Sequence, residues 1–268
     1  MSDDAFFVPD GDAWVATSHT RGPWSPAHQH GGPPAALLAH VVQAVARELS
    51  IARVTVDYLR PVPIDRLRVR LEPLRDGARV ARRIAQLLHG DTVVAHAVLL
   101  LVRPEALPVP APPDAPVLPP PEASRPFRLP FFREADGYHT AMDLRLAAGE
   151  WGTGRTAAWM RQRVPLIPGV PPSPLERVLI AADSSSGISA TIDHRVQSAI
   201  NPDLTVALSR PLEGEWVGLD SVSTYEPSGI GLADTRICDQ RGTVGRALQG
   251  LVLGARRGEG PAGRGRSD

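Results

Sequence analysis

The 268-residue chain repeats itself. Four strand-like runs, VTVDYLRPVP, RLRVRLEPL, ARVARRIAQLLHG and TVVAHAVLLLVR, fill Val54–Arg103, separated by Pro, Asp-Gly and Gly-Asp turn signals. A shift of 150 positions, from Thr55 to Thr205, lays LTVALSRPLE, EWVGLDSVSTYE, GIGLADTRICDQRG and TVGRALQGLVLGAR over them without a gap. Arg60-Pro61 then meets Arg210-Pro211, and Val94 meets Val244. Two copies of one antiparallel meander are the simplest explanation.

Each meander follows a helical stretch. Leu38, Val41, Val42, Val45 and Leu49 fall at the spacing of a buried helical stripe. In the second copy Ser173-Pro174-Leu175-Glu176 offers a capping box with proline at the first helical position. Leu175, Val178, Leu179 and Ala182 continue the stripe, and Gly187 is available to end it. Each copy therefore reads as strand, long helix, then several antiparallel strands. A sheet wrapped around its own helix satisfies that order, because the two apolar faces cover each other.

Ten of the positions from Pro104 to Pro126 are proline, which favours a stiff extended connector running over the surface. The expected division is an N-terminal unit at 1–103, a proline-rich linker at 104–130, a C-terminal unit at 131–256 and a disordered tail at 257–268.

Composition excludes several functions. Basic and acidic residues balance at 29 each, so the broad positive field of a nucleic-acid binder is missing. All basic residues are arginine, which removes Schiff-base and lysine-base chemistry. The longest apolar runs fall short of the roughly 20 residues that span a bilayer. The acidic start Met-Ser-Asp-Asp lacks a secretory pattern, and the single Cys238 cannot form an intrachain disulfide, so a cytoplasmic location is expected. No G-x-S-x-G elbow, H-E-x-x-H, paired C-x-x-C or strand-linked G-x-G-x-x-G occurs, and neither a metal nor a cofactor is expected.

The motifs HGGPPAALL (His30–Leu38), RVTVDYLRPVP (Arg53–Pro63), AADSSSGIS (Ala181–Ser189), ATIDH (Ala190–His194) and NPDLTVAL (Asn201–Leu208) together resemble the double-hotdog thioesterases. More narrowly, they resemble the superfamily that contains acyl-CoA thioesterase II. The resemblance covers nearly the whole chain outside the linker and tail. It implies an α+β tandem hotdog, each half a long helix wrapped by an antiparallel sheet, and a homo-oligomer. It also implies hydrolysis of an acyl-CoA or acyl-carrier thioester by a water held between an Asp, a Thr and a Gln of the second half. By local motif these fall on Asp183, Thr191 and Gln249. The stretch from Asp183 to Thr191 is much shorter here than in the bacterial type-II enzyme.

The repeat tests these positions independently, since residues that serve only folding should look alike in both copies. Aligning Pro34 with Pro174 sets Asp183 opposite Gln43, and the 150-residue shift sets Gln249 opposite Leu99. A glutamine in place of leucine on an apolar strand face demands hydrogen-bond partners. Asp183 falls about 80° from Leu175 on a helical wheel, at the shoulder of the apolar face. In this reading Asp183 is the base, and Gln249 and Thr191 orient the water. His30, Gly31 and Gly32 open the first helix, where backbone N–H groups suit an oxyanion or a substrate phosphate.

Each residue also has a purely structural reading. Asp183 could cap the turn that follows it, Gln249 could face solvent, Thr191 could be a β-former, and His30 could serve the helix start. Two other functions stay open: a hotdog dehydratase pairing His30 with Asp183 as acid and base, and a non-catalytic acyl-thioester binder.

Overall fold

The computed structural model describes residues 4–110 and 117–255. The first copy comprises β1 (Phe7–Asp10), β2 (Ala13–Ala16), α1 (Gly32–Val45), β3 (Ser50–Tyr58), β4 (Arg66–Arg75), β5 (Val80–His89) and β6 (Thr92–Val102). The second follows with β7 (Arg125–Pro126), α2 (Tyr138–Ala141), β8 (Met142–Gly149), β9 (Arg155–Gln162), α3 (Pro174–Ala182) and α4 (Ser185–Ile188). It is completed by β10 (Gln197–Ile200), β11 (Asp203–Leu208), β12 (Val217–Tyr225), β13 (Ile230–Asp239) and β14 (Gly242–Ala255).

All strands join one antiparallel sheet in the order β1-β2-β4-β5-β6-β3-β11-β14-β13-β12-β9-β8-β7, with β10 also on β14. The 150-residue shift holds at the level of register. Thr55 faces Val98 and Thr205 faces Leu248; Ile84 faces Val98 and Asp234 faces Leu248; Glu72 faces Ile84 and Val222 faces Asp234. The copies meet where β3 pairs with β11, and there Thr55 lies opposite Thr205, their hydroxyl oxygens 3.3 Å apart. Equivalent residues facing each other mark a local two-fold axis through this pair.

Alternation places Val54, Val56, Ala97, Leu99, Val206 and Leu251 on the buried face, against which the helices pack. The first two turns of α1 are buried all round because α1 lies against both the sheet and α3. Val45, expected in the stripe, is 65 % exposed, and Leu49 lies past the end of the helix. The capping box of α3 is present: Glu176 N–H donates to Ser173 Oγ at 3.3 Å, and Ser173 N–H donates to Glu176 Oε2 at 2.9 Å. The other oxygen of the Glu176 carboxylate meets His40 Nδ1 of α1 at 2.8 Å and ties the helices together.

Three expectations need correction. Two strands, β1 and β2, precede α1 in place of one, because Asp10-Gly11 makes a tight turn with Gly11 at φ +64°, and three, β7, β8 and β9, precede α3. The second helix does not run through to Gly187. It breaks after Ala182, with Asp183 as the C-cap of α3 and Ser184 as the N-cap of α4, so Gly187 lies inside α4. The proline-rich stretch does not simply cross the surface. Leu118 packs with Ala157 and Trp159, Trp159 Nε1 donates to Pro119 O at 2.6 Å, and β7 adds to β8. The tail expected at 257–268 lies outside the described residues, as do positions 111–116.

Candidate active site

The break between α3 and α4 organises the site. Each helix end leaves backbone groups without an intrahelical partner, and buried groups of that kind must be satisfied. Gln249, on the inner face of β14 and fully buried, lies beneath the break. Its Oε1 accepts from Ser186 N–H of α4 at 3.0 Å, and its Nε2 donates to Asp183 O at 3.1 Å and to Asp183 Oδ1 at 3.3 Å. One amide thus caps both broken ends and holds the carboxylate. In the first copy α1 is continuous, and Leu99 fills the corresponding place.

Asn201, between β10 and β11, donates from Nδ2 to Asp183 Oδ1 at 2.8 Å and to Asp203 O at 3.2 Å. His30, leading into α1, brings Nδ1 within 3.0 Å of Asp183 Oδ2. The carboxylate of Asp183, 6 % exposed, is therefore held from three directions at the wall of a cleft of about 380 Å³. Apolar side chains supply much of the remaining wall, among them Leu59, Val62, Leu129, Phe132 and Ile200.

An aromatic shell fixes the imidazole. The His30 ring stacks on Tyr138 with centres 3.7 Å apart and planes 2° from parallel. Tyr138 Oη donates to Ile180 O at 2.7 Å and meets Ser184 Oγ at 2.9 Å, which anchors the stack to the broken helix. Tyr58 Oη donates to Gly31 O at 2.7 Å. Burial pushes both phenols well above the usual tyrosine range, so they stay protonated, and Tyr138 Oη, its one proton given to Ile180 O, accepts from Ser184. Burial also lowers the His30 pKa, and the Asp183 charge opposes that only in part, so the ring is neutral near pH 7.

This gives a pH prediction. A group whose folded pKa lies below its ordinary value of 6.5 binds protons more readily in the unfolded chain. Its contribution to stability is complete above pH 6.5 and declines as acidification proceeds toward the lowered folded value. The melting temperature of the parent should fall more steeply than that of His30→Gln between neutral and mildly acidic pH. Equal slopes in scanning calorimetry would remove His30 from this role.

The six residues singled out in the sequence fare differently. Asp183, Gln249, His30 and Gly31 converge. An added Cβ at Gly31 would lie 2.9 Å from Asp183 Oδ2 and 2.7 Å from the Tyr58 ring, so glycine is required there. Gly32 instead marks the close crossing of α1 on α3, its Cβ position 2.4 Å from Ile180 O. The expected row of free helix-start N–H groups is cut short, because Pro33 and Pro34 have none. Thr191 is not brought to Asp183. The chain leaves α4 at Ile188 and carries Thr191 out to an exposed loop, where it lines a separate pocket, before His194, Ile200 and Asn201 line the cleft again.

Asn201 is the residue that motif matching missed. The 150-residue shift sets it opposite Ile51, the same polar-for-apolar exchange that marks Gln249. Among the described residues no cluster of His, Cys, Asp and Glu could hold a metal, and no helix is long and apolar enough to cross a membrane.

A helix-backed antiparallel sheet with a carboxylate held at a cleft defines an α+β protein of the hotdog fold. Residues 20–102 match the acyl-CoA thioesterase N-terminal domain and residues 104–253 the acyl-CoA thioesterase C-terminal domain. The chain belongs to the acyl-CoA thioesterase family and is a thioester hydrolase. Solved structures share the fold at low identity. An assigned thioesterase from Novosphingobium aromaticivorans is 21 % identical with a TM-score of 0.74, over 92 % of this chain and 98 % of that one. A hot dog fold protein from Alicyclobacillus acidocaldarius is 16 % identical with a TM-score of 0.73, over 95 % and 97 %. Acyl-CoA thioesterase II TesB2 from Mycobacterium marinum is 17 % identical with a TM-score of 0.65, over 94 % and 95 %. Among curated proteins none matches.

Proposed function

We propose that the chain is a tandem hotdog that hydrolyses acyl-CoA or a related acyl thioester with a water activated by Asp183. The observation that carries this is the convergence of Gln249, Asn201 and His30 on one carboxylate at the wall of an apolar cleft. Thioester hydrolysis needs a base to draw a proton from water and donors to hold both base and water in place. Asp183 supplies the base. Asn201 lines the cleft and can orient the water, whereas Gln249, fully committed to the helix break, acts by positioning Asp183. In this scheme Asn201 takes the place that the motif reading gave to Thr191. The division into halves 1–103 and 131–256 joined through 104–130, the assembly into a homo-oligomer and a cytoplasmic location belong to the same proposal.

Release of free thiol from a panel of acyl-CoAs tests it, and no release above background from any chain length would reject it. Asn201→Ala should lower kcat by about 10²-fold, at the low end of what a positioned polar group contributes. Thr191→Ala should leave kcat within about twofold of the parent, as for a surface substitution away from the chemistry. The reverse ranking would restore Thr191.

The contact between His30 and Asp183 also favours a second reading, dehydration of a 3-hydroxyacyl thioester. That reaction takes a proton from one carbon and hydroxide from the next, so its acid and base must reach different atoms. Here the two groups bond each other at 3.0 Å, which suits joint service to one water better. Formation of an enoyl thioester without thiol release would select the dehydratase.

A further inference from the structure

The cleft beside Asp183 shares two walls, Phe131 and His194, with a second pocket of about 590 Å³. Those two rings lie 4.6 Å apart, and Trp151 stacks on His194 at 6.1 Å with planes 26° from parallel. The pockets differ in character. The first is lined mainly by apolar side chains around the carboxylate, with Arg60 as its one guanidinium, whereas two guanidiniums, Arg133 and Arg195, and Asp193 border the second, around Trp151 and the displaced Thr191.

Trp151 Nε1 donates to Gly187 O at 2.9 Å, which fixes the indole as a platform for a flat ring. Arg195 spends much of its charge on Asp193, with Nε 3.0 Å and Nη2 2.8 Å from the carboxylate oxygens. Arg133 is exposed and makes no ion pair among the described residues, so it gives the pocket its uncompensated positive charge.

A CoA thioester is unlike at its two ends in the same sense: an apolar acyl chain on one side of the reacting carbon, and an anionic phosphorylated adenosine on the other. The geometry points to this second pocket as the seat of the phosphorylated adenosine of CoA, with the apolar cleft left to the acyl chain. The adenine finds an aromatic platform, and the phosphates find guanidinium groups able to make charge-assisted bonds. A carrier-protein thioester has no adenine to place there, so the pocket selects CoA over a carrier. This inference rests on the thioesterase reading.

The experiment compares kcat/KM for one acyl group carried on CoA and on pantetheine, which lacks the nucleotide. Arg133→Glu, an exposed change that leaves the core untouched, should lower the CoA value about tenfold, or about 1.4 kcal/mol, and leave the pantetheine value unchanged. Asp193→Asn should act in the opposite direction, releasing Arg195 and raising the CoA value several-fold. Trp151→Ala should lower the CoA value, with the pantetheine substrate revealing any damage to the neighbouring Gly187 turn. Equal effects on both substrates, or none on either, would overturn the assignment. Calorimetric binding of desulfo-CoA to the parent and to Arg133→Glu gives a readout without turnover. Loss of binding in the variant supports the pocket even if no thioester is cleaved, and equal binding rejects it even if thioesters are.

Discussion

Asp183→Asn should reduce thiol release from acyl-CoA by about 10²–10⁴-fold, the usual range for removing a positioned general base. The substitution keeps shape and volume and removes the basicity, so the loss should fall on kcat, with KM little changed. Folding should survive. The neutral amide can still accept from Asn201 and Gln249 through its remaining oxygen, and His30 can change tautomer to meet the new NH₂ group. A melting temperature near that of the parent, together with near-complete loss of turnover, is the expected pair of results. Equal rates for the two proteins would remove Asp183 as the base and leave the cleft without a candidate.

Gly32→Ala should show the largest loss of stability. Its Cβ would lie 2.4 Å from Ile180 O and 3.0 Å from both Ile180 C and Cα, all backbone atoms of α3 that no rotamer change can move. Helices α1 and α3 must separate, and overpacking of this kind costs about 1–3 kcal/mol, occasionally more. That corresponds to a fall in melting temperature of about 2–12 °C for a domain of roughly this size. Activity should fall too, because Ile180 lies one turn before Asp183 and accepts the hydrogen bond of Tyr138. Gly31→Ala makes an instructive contrast. Its Cβ meets the Tyr58 ring and a carboxylate oxygen, which are movable side-chain atoms, so turnover should suffer more than melting temperature. If instead Gly32→Ala melts like the parent, the close helix crossing is wrong.

These predictions draw on features of unequal visibility in the sequence. The strands of the two meanders were readable because the gapless repeat lays one set over the other, and in such strands a one-residue slip would turn every inward side chain outward. Gln249 and Asp183 stood out as polar residues with no match in the other copy. What the sequence did not show was why Gln249 is there. The apolar stripe of α3 continues smoothly to Ala182, and although Asp183 and Ser184 are cap-forming residues, nothing in the sequence ties Gln249 to that helix end, so the capping duty of the amide becomes visible only in three dimensions. Thr191 was misplaced for a related reason: a short motif carries residue identity but not the path of the loop. Asn201 answered the same comparison between copies and was available to it, opposite Ile51. The aromatic stack of Tyr138 on His30 had no such signal, since Tyr138 comes from a segment outside the repeat.

The local two-fold at Thr55 and Thr205 bears on stoichiometry. Two equivalent halves joined across an axis could present two symmetry-related centres, one on each side. The positions matching Asn201 and Gln249 in the amino-terminal half are Ile51 and Leu99, both buried and hydrocarbon, which closes one of them. With the proposed centre at Asp183, active-site titration is expected to saturate at one equivalent per chain, with no cooperativity arising within it.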